Sequence, residues 1–146
     1  MALKTDAVGK EWGGTTYQVG REKIKEYANA LGIENPVHFD VGAAREAGFR
    51  DVVAPPMFCV VYALPAMAPA ILDPEVGMNF ATMVHGGQEF EWGEVVCSGD
   101  EITTTPKCIS IEEKMGNGFY VFESTSVNQD GAQVLRGVWT NIVRGV

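Results

Sequence analysis

The stretch Val52-Val-Ala-Pro-Pro-Met-Phe-Cys-Val-Val-Tyr-Ala-Leu-Pro-Ala-Met-Ala-Pro-Ala-Ile-Leu72 decides how this chain folds. It runs for 21 residues without a charge, long enough to cross a bilayer as a helix. Pro55, Pro56, Pro65 and Pro69 argue against a span, because internal prolines remove backbone donors and break the helical ladder. The hydropathy of the run is moderate as well. The expected structure is a buried helix that starts at the Pro55-Pro56 pair, with Pro65 and Pro69 ending or kinking it. Membrane insertion is not expected. A helix apolar on all sides needs cover, and the flanking sequence offers it.

After Asp73-Pro74 the pattern turns to β structure. Thr82 to Trp92, Glu101 to Ile111, Phe119 to Val127 and Val134 to Val143 are rich in β-branched and aromatic residues. Ser98-Gly99-Asp100, Gly116-Asn117-Gly118 and Asp130-Gly131 punctuate them, the last two as hairpin signals that make Asn117 and Asp130 turn residues. Alternation in the last two strands suits a sheet with one covered face. Ahead of the apolar run, Thr15 to Val19 reads as a short strand. Arg21 to Leu31 reads as an amphipathic helix closed by Gly32, and Val41 to Ala47 as a short helix ending at Gly48. Helices followed by an antiparallel meander give an α+β domain in which a sheet wraps one apolar helix. No linker or repeat divides the chain, so residues 1–146 are expected to form one domain.

Composition narrows the function. A hydrophobic content of 46% with 10% aromatics belongs to a globular chain. The net charge of -8 argues against a nucleic-acid partner, which needs clustered Lys and Arg. Arg21, Lys23 and Lys25 read as the solvated face of a helix. Cys59, Cys97 and Cys108 follow no metal-binding spacing, and Cys59 reads as a small buried hydrophobe. Trp92 and Trp139 read as packing residues on the sheet. The polar, glycine-containing start, Met1 to Gly14, has no signal-peptide pattern, which points to the cytosol.

The candidate chemistry lies in Gly32-Ile33-Glu34-Asn35-Pro36-Val37-His38-Phe39-Asp40. This loop sets one of two histidines just after an Asn-Pro turn. Histidine suits general acid/base work because its unperturbed pKa lies near neutrality. The other histidine, His85, stands before Gly86-Gly87 and reads as structural or close to an interface.

A helix, Gly32-x-x-Asn35-Pro36-Val37-His38, Ala44-x-x-x-Gly48-Phe49, the proline-started apolar helix and Ser98-Gly99-Asp100-Glu101-Ile102 follow in order. Together they resemble the MaoC-like hotdog-fold hydratases and dehydratases. Val19 to Ile24, Val53 to Phe58, Gln88 to Phe90 and Val127 to Gly131 carry a closer likeness, to the branch with the N-terminal MaoC dehydratase domain and HadA-type subunits. The resemblance covers Gly13 to Arg144. It implies a hotdog fold, an antiparallel sheet wrapped around the central helix. It also implies water addition or removal at the 2,3 bond of an enoyl thioester, giving the (R)-3-hydroxyacyl form without a metal or cofactor. The implied partners are an acyl-CoA or acyl-ACP substrate and a second hotdog subunit, as a homodimer or as a heterodimer with a MaoC-like chain.

In such proteins an Asp and a His share the reacting water, and the thioester carbonyl meets the central helix N-terminus. The resemblance puts His38 at the histidine position, presented by the turn of Asn35 and Pro36. The Asp position holds Ile33, which moves no proton; Glu34 is the nearest substitute and Asp40 a weaker one. Where active members have a glycine N–H at the helix start, this chain has Pro56, leaving the Met57 N–H. Pro56, Met57, Phe58 and Val61 are the expected acyl-binding residues, and the face of Met57, Phe58, Val60, Val61 and Leu64 is expected to be core, some of its side chains doing both. The favoured expectation is an acyl-binding subunit whose partner supplies the full Asp-His pair. The alternatives are a self-sufficient homodimer using His38 with Glu34 or Asp40, and a non-catalytic acyl-thioester binder.

Overall fold

A computed structural model describes residues 2–146. Its elements are β1 (Thr15–Gln18), α1 (Arg21–Ala30), α2 (Val41–Glu46), α3 (Cys59–Ile71), β2 (Met83–Trp92), β3 (Glu101–Lys114), β4 (Asn117–Val127) and β5 (Gln133–Arg144). Short 3₁₀ turns at Thr5–Ala7, Pro36–His38 and Pro56–Phe58 introduce the chain, α2 and α3. The five strands form one antiparallel sheet in the order β1-β3-β4-β5-β2, so β1 and β2 are its edges. The sheet curls around α3, and the fold is a hotdog. No helix among the described residues is long and apolar enough to cross a membrane.

The cover for the apolar helix follows from its own side chains. Phe58, Cys59, Ala63, Ala66, Met67 and Ala70 are sequestered from solvent. Small alanines let α3 sit close to the sheet, where Ile102, Cys108 and Phe122 meet it. Pro65 and Pro69 do not end the helix, which runs through both to Ile71. Both prolines lie on its exposed side, where the carbonyls they leave without a donor can be hydrated. The hairpin between β3 and β4 also differs from expectation. Its turn is Met115-Gly116, both at positive φ (54° and 75°), and Asn117 already pairs with Lys114. Two consecutive positive-φ residues match the twist of the strands, and the exposed Met115 is tolerated there.

Several polar groups on the covered face are satisfied in pairs, while Asn141 Nδ2 is left without a partner. Thr104 and Ser126 share a hydroxyl contact of 2.7 Å, and the Trp139 indole donates to Ser124 Oγ at 2.8 Å. The Asp100 carboxylate, fully buried, accepts from Arg50 (2.8 and 3.0 Å), the Cys97 N–H (2.9 Å) and Gln129 Nε2 (2.9 Å). Burial alone would push its carboxyl up, but these donors hold it below the usual carboxylate range. At the other end of α3, Lys10 with the Glu75 N–H and the Trp12 indole holds the Asp73 carboxyl at about 2.

Two outcomes are expected. Asp100→Ala strands the Cys97 N–H and Gln129 and should cost roughly 2–4 kcal/mol in urea unfolding. Asp73 and Asp100 both have depressed folded-state pKa values, so their stabilisation is present above the unfolded value of about 4. It should fade as pH falls from there towards 2, and Asp73→Asn should flatten that acid limb in a thermal-melt series.

Candidate functional site

The histidine loop is built by backbone caps. Helix α1 closes with Gly32 at φ 69°, its N–H bonded to Asn29 O and the Ile33 N–H to Ala28 O. That is a Schellman cap, in which the residue after the glycine prefers to be apolar. Ile33 meets this preference and is half-buried. Asn35 Oδ1 then accepts the Val37 N–H at 3.2 Å and caps the turn Pro36–His38. Asp40 Oδ1 accepts the Gly42 N–H at 3.1 Å and caps α2.

His38 points the other way, onto the strand-like segment before α3. Its Nδ1 lies 2.6 Å from Val53 O, and the Val53 N–H returns to Val37 O at 2.9 Å. A carbonyl only accepts, so Nδ1 carries the hydrogen and Nε2 of the neutral ring is left as the acceptor. Val53 is in turn bridged to Cys97, and the Ala54 N–H bonds to Val96 O at 2.8 Å.

These contacts form one wall of a cleft of about 390 Å³. His38, Val53, Ala54, Pro55 and Pro56 line it with Cys59 and Tyr62 of α3. The rest of the lining is Trp92 at the end of β2, the segment Gly93 to Val96 that follows it, and Val134 of β5. The Trp92 indole donates to Pro56 O at 2.8 Å, tying the edge strand to the helix start. Pro55 and Pro56 bring no N–H, and the Phe58 and Cys59 N–H groups turn back to carbonyls of residues 55–57. Met57 is therefore the first donor after the proline pair. Burial pushes the Cys59 thiol up to about 11, against the lowering effect of the Trp92 indole, and pushes the Tyr62 hydroxyl up as well. Both are neutral at pH 7, so the interior of the cleft is apolar and uncharged beside His38. Glu94 is exposed at its rim. Among the described residues no three His, Cys, Asp or Glu side chains converge as a metal site would need.

The profile of the FAS1-like dehydratase domain region matches residues 6–136. The chain belongs to this dehydratase family. Relatives of this dehydratase-family chain include a UPF0336 protein of Clavibacter michiganensis subsp. michiganensis, 41% identical over 129 residues, which are 88% of this chain and 87% of that one. A UPF0336 protein of Saccharopolyspora erythraea is 35% identical, with 99% of this chain and 94% of that one covered. Among solved structures, the C-terminally truncated HadBC (3R-hydroxyacyl-ACP dehydratase) complex of Mycobacterium tuberculosis has a chain that superposes with a TM-score of 0.84. That chain is 28% identical, with 96% of this chain and 99% of that chain covered.

Within the dehydratase-family cleft, the structure brings together His38 and Pro56 of the expected site residues. Glu34 and Asn35 do not line it: Glu34 is exposed on the loop and Asn35 is spent on its cap. Asp40 is held at the start of α2. Met57 is exposed, Val61 is half-buried outside the cleft, and Phe58 is core, packed edge-on against Tyr27. Sequence reasoning missed Cys59, Tyr62 and Trp92 as cleft residues. Spacing held part of the signal, since Pro56, Cys59 and Tyr62 recur every third residue and share one side of the helix.

Gly93 forms part of the rim, and a Cβ there would sit 2.1 Å from Gln133 O. Gly93→Ala should therefore displace the end of β2 and destabilise the protein by roughly 1–3 kcal/mol in chemical denaturation. Trp92 fluorescence should shift with it, because the indole bond to Pro56 O is carried on the same segment.

Proposed function

We propose that this chain is the acyl-binding subunit of an (R)-specific 2-enoyl-thioester hydratase or 3-hydroxyacyl-thioester dehydratase, working with a second hotdog subunit that supplies the full Asp-His pair. The observation that carries this reading is an apolar cleft whose histidine is hydrogen-bonded to a backbone carbonyl and to no carboxylate, the one carboxylate of the lining, Glu94, being exposed at the rim. His38 Nδ1 is given to Val53 O, Ile33 is used in a helix cap, and Asp40 caps α2. Adding water across a double bond takes a proton from the water and delivers one to the neighbouring carbon, so two groups or two steps of one group are needed. The interior of this chain's cleft offers one imidazole, with Glu94 turned to solvent at the rim. Its apolar walls suit an acyl chain, and the Met57 N–H, one residue past the cleft-lining Pro56, is the first helix-start donor a thioester carbonyl could take.

The same reading accounts for the uncovered face. Strand β2 pairs only with β5 and leaves its other edge open. Leu64 on α3, Met57 and Leu72 flanking it, Phe80 ahead of β2 and Val84 within β2 are exposed. An open edge beside exposed apolar side chains invites a second subunit of the same fold. Acyl carriers of either kind, coenzyme A or acyl carrier protein, fit the reading, as does assembly in the cytosol.

The test is hydration of a short trans-2-enoyl-CoA. The purified chain alone should be inert, and adding its partner subunit should restore turnover. In that complex His38→Ala should change the rate by less than about tenfold, well short of what losing a general acid/base costs. Robust turnover by the lone chain, abolished by His38→Ala, would instead establish a self-sufficient enzyme and sink the subunit reading.

A further inference from the structure

Tyr62 is 97% withdrawn from solvent, with a relative exposure of 3%, yet its hydroxyl has no hydrogen-bond partner among the described residues. Buried tyrosines usually pair their hydroxyl, because an orphaned one costs more than a phenylalanine in the same place. Phe58, one turn earlier on the same helix, shows that the core itself asks only for a ring. The Tyr62 hydroxyl is not among the fully enclosed orphan side-chain atoms of the described residues, which are Thr82 Oγ1 and Asn141 Nδ2. What little of Tyr62 is accessible opens on the cleft that it lines with His38.

Its position suits a ligand. Tyr62 lies six residues after Pro56, about 9 Å along the axis, and helical side chains lean back towards the N-terminus. The phenol therefore covers the turn around Cys59, below the mouth of the cleft. Burial raises its pKa, so at neutral pH it is an uncharged group able to donate one hydrogen bond and accept another. The surrounding walls, Val53, Ala54, Pro55, Val96 and Val134, offer no side-chain partner.

We propose that the Tyr62 hydroxyl binds the oxygen function carried by the acyl chain, so that the cleft selects a 3-hydroxyacyl thioester over the saturated acyl thioester of equal length. The proposal rests on the acyl-thioester reading given above and adds to it a residue that sets specificity. A hydroxyl that ligand binding cuts off from water discriminates strongly against a ligand that leaves it unpaired, whereas purely apolar walls barely sense a hydroxyl.

Binding of (R)-3-hydroxyhexanoyl-CoA and hexanoyl-CoA to the full-length chain, followed through the fluorescence of Trp92 at the rim, tests it. The unsubstituted protein should prefer the hydroxylated ligand by roughly tenfold. Tyr62→Phe should bind hexanoyl-CoA as before and lose the preference, with a melting temperature no lower than the parent. A preference that survives Tyr62→Phe, or a parent that binds both ligands equally, overturns the role of Tyr62 and leaves the acyl-thioester reading standing. A lowered melting temperature in Tyr62→Phe also overturns it, since the hydroxyl would then be serving the fold. Binding of neither ligand by the parent sinks the acyl-thioester reading itself, and this inference with it.

Discussion

The peptide unit of Val53 is the constraint on which the site depends. Its N–H goes to Val37 O and its carbonyl takes the hydrogen of His38 Nδ1, so one residue clamps the histidine loop from both sides. The neighbouring residues are clamped in turn to residues 96–98, through Ala54 N–H to Val96 O and Ser98 N–H to Val52 O. A buried backbone with no partner is costly, so this short ladder is rigid as well as satisfied. It places three things in a fixed relation: the imidazole, the start of α3 and the cleft-lining segment that ends at Val96.

The electrostatic ties lie behind this ladder. Asp100 gathers Arg50, the Cys97 N–H and Gln129, joining the loop after α2, the crossing segment and the β4–β5 turn. Asp73 gathers Lys10 and Trp12, joining the N-terminal segment to the end of α3. Neither carboxylate faces the cleft, whose interior stays apolar. Charge is used to hold the scaffold, and the cleft is left for packing and for the few polar groups that reach it. In the interior of the cleft, among the described residues, the hydroxyl of Tyr62 and Nε2 of His38 make no hydrogen bond to the fold.

Much of this was legible in the sequence because it depends on local pattern. Alternation in β4 and β5 reports a half-covered sheet, and the uncharged run between Val52 and Leu72 reports the helix to be covered. Less legible were the features set by which side of an element faces outward. Pro65 and Pro69 look like helix breakers, but their exposed placement lets the helix continue. Gly116-Asn117-Gly118 looks like a turn centred on Asn117, but β3 and β4 pair as far as Lys114 with Asn117 and the turn is Met115-Gly116. Ile33 looks like a lost catalytic residue, and in three dimensions it is the apolar residue that a helix cap requires.

The sequence by itself determined the α+β class, the central helix, the histidine loop and the resemblance to thioester hydratases and dehydratases. Those follow from periodicity, from turn chemistry and from the order of short motifs, all of which are properties of neighbouring residues. Only the tertiary structure decided which side chains share the cleft. Trp92 and Tyr62 are 30 residues apart along the chain, and they meet because the sheet curls around α3 and brings its edge to the helix start. Whether a loop carboxylate caps a backbone or faces a ligand is likewise settled by packing. Asp40 and His38 differ by two positions and point to opposite duties, because one lies at the start of a helix and the other against Val53 O.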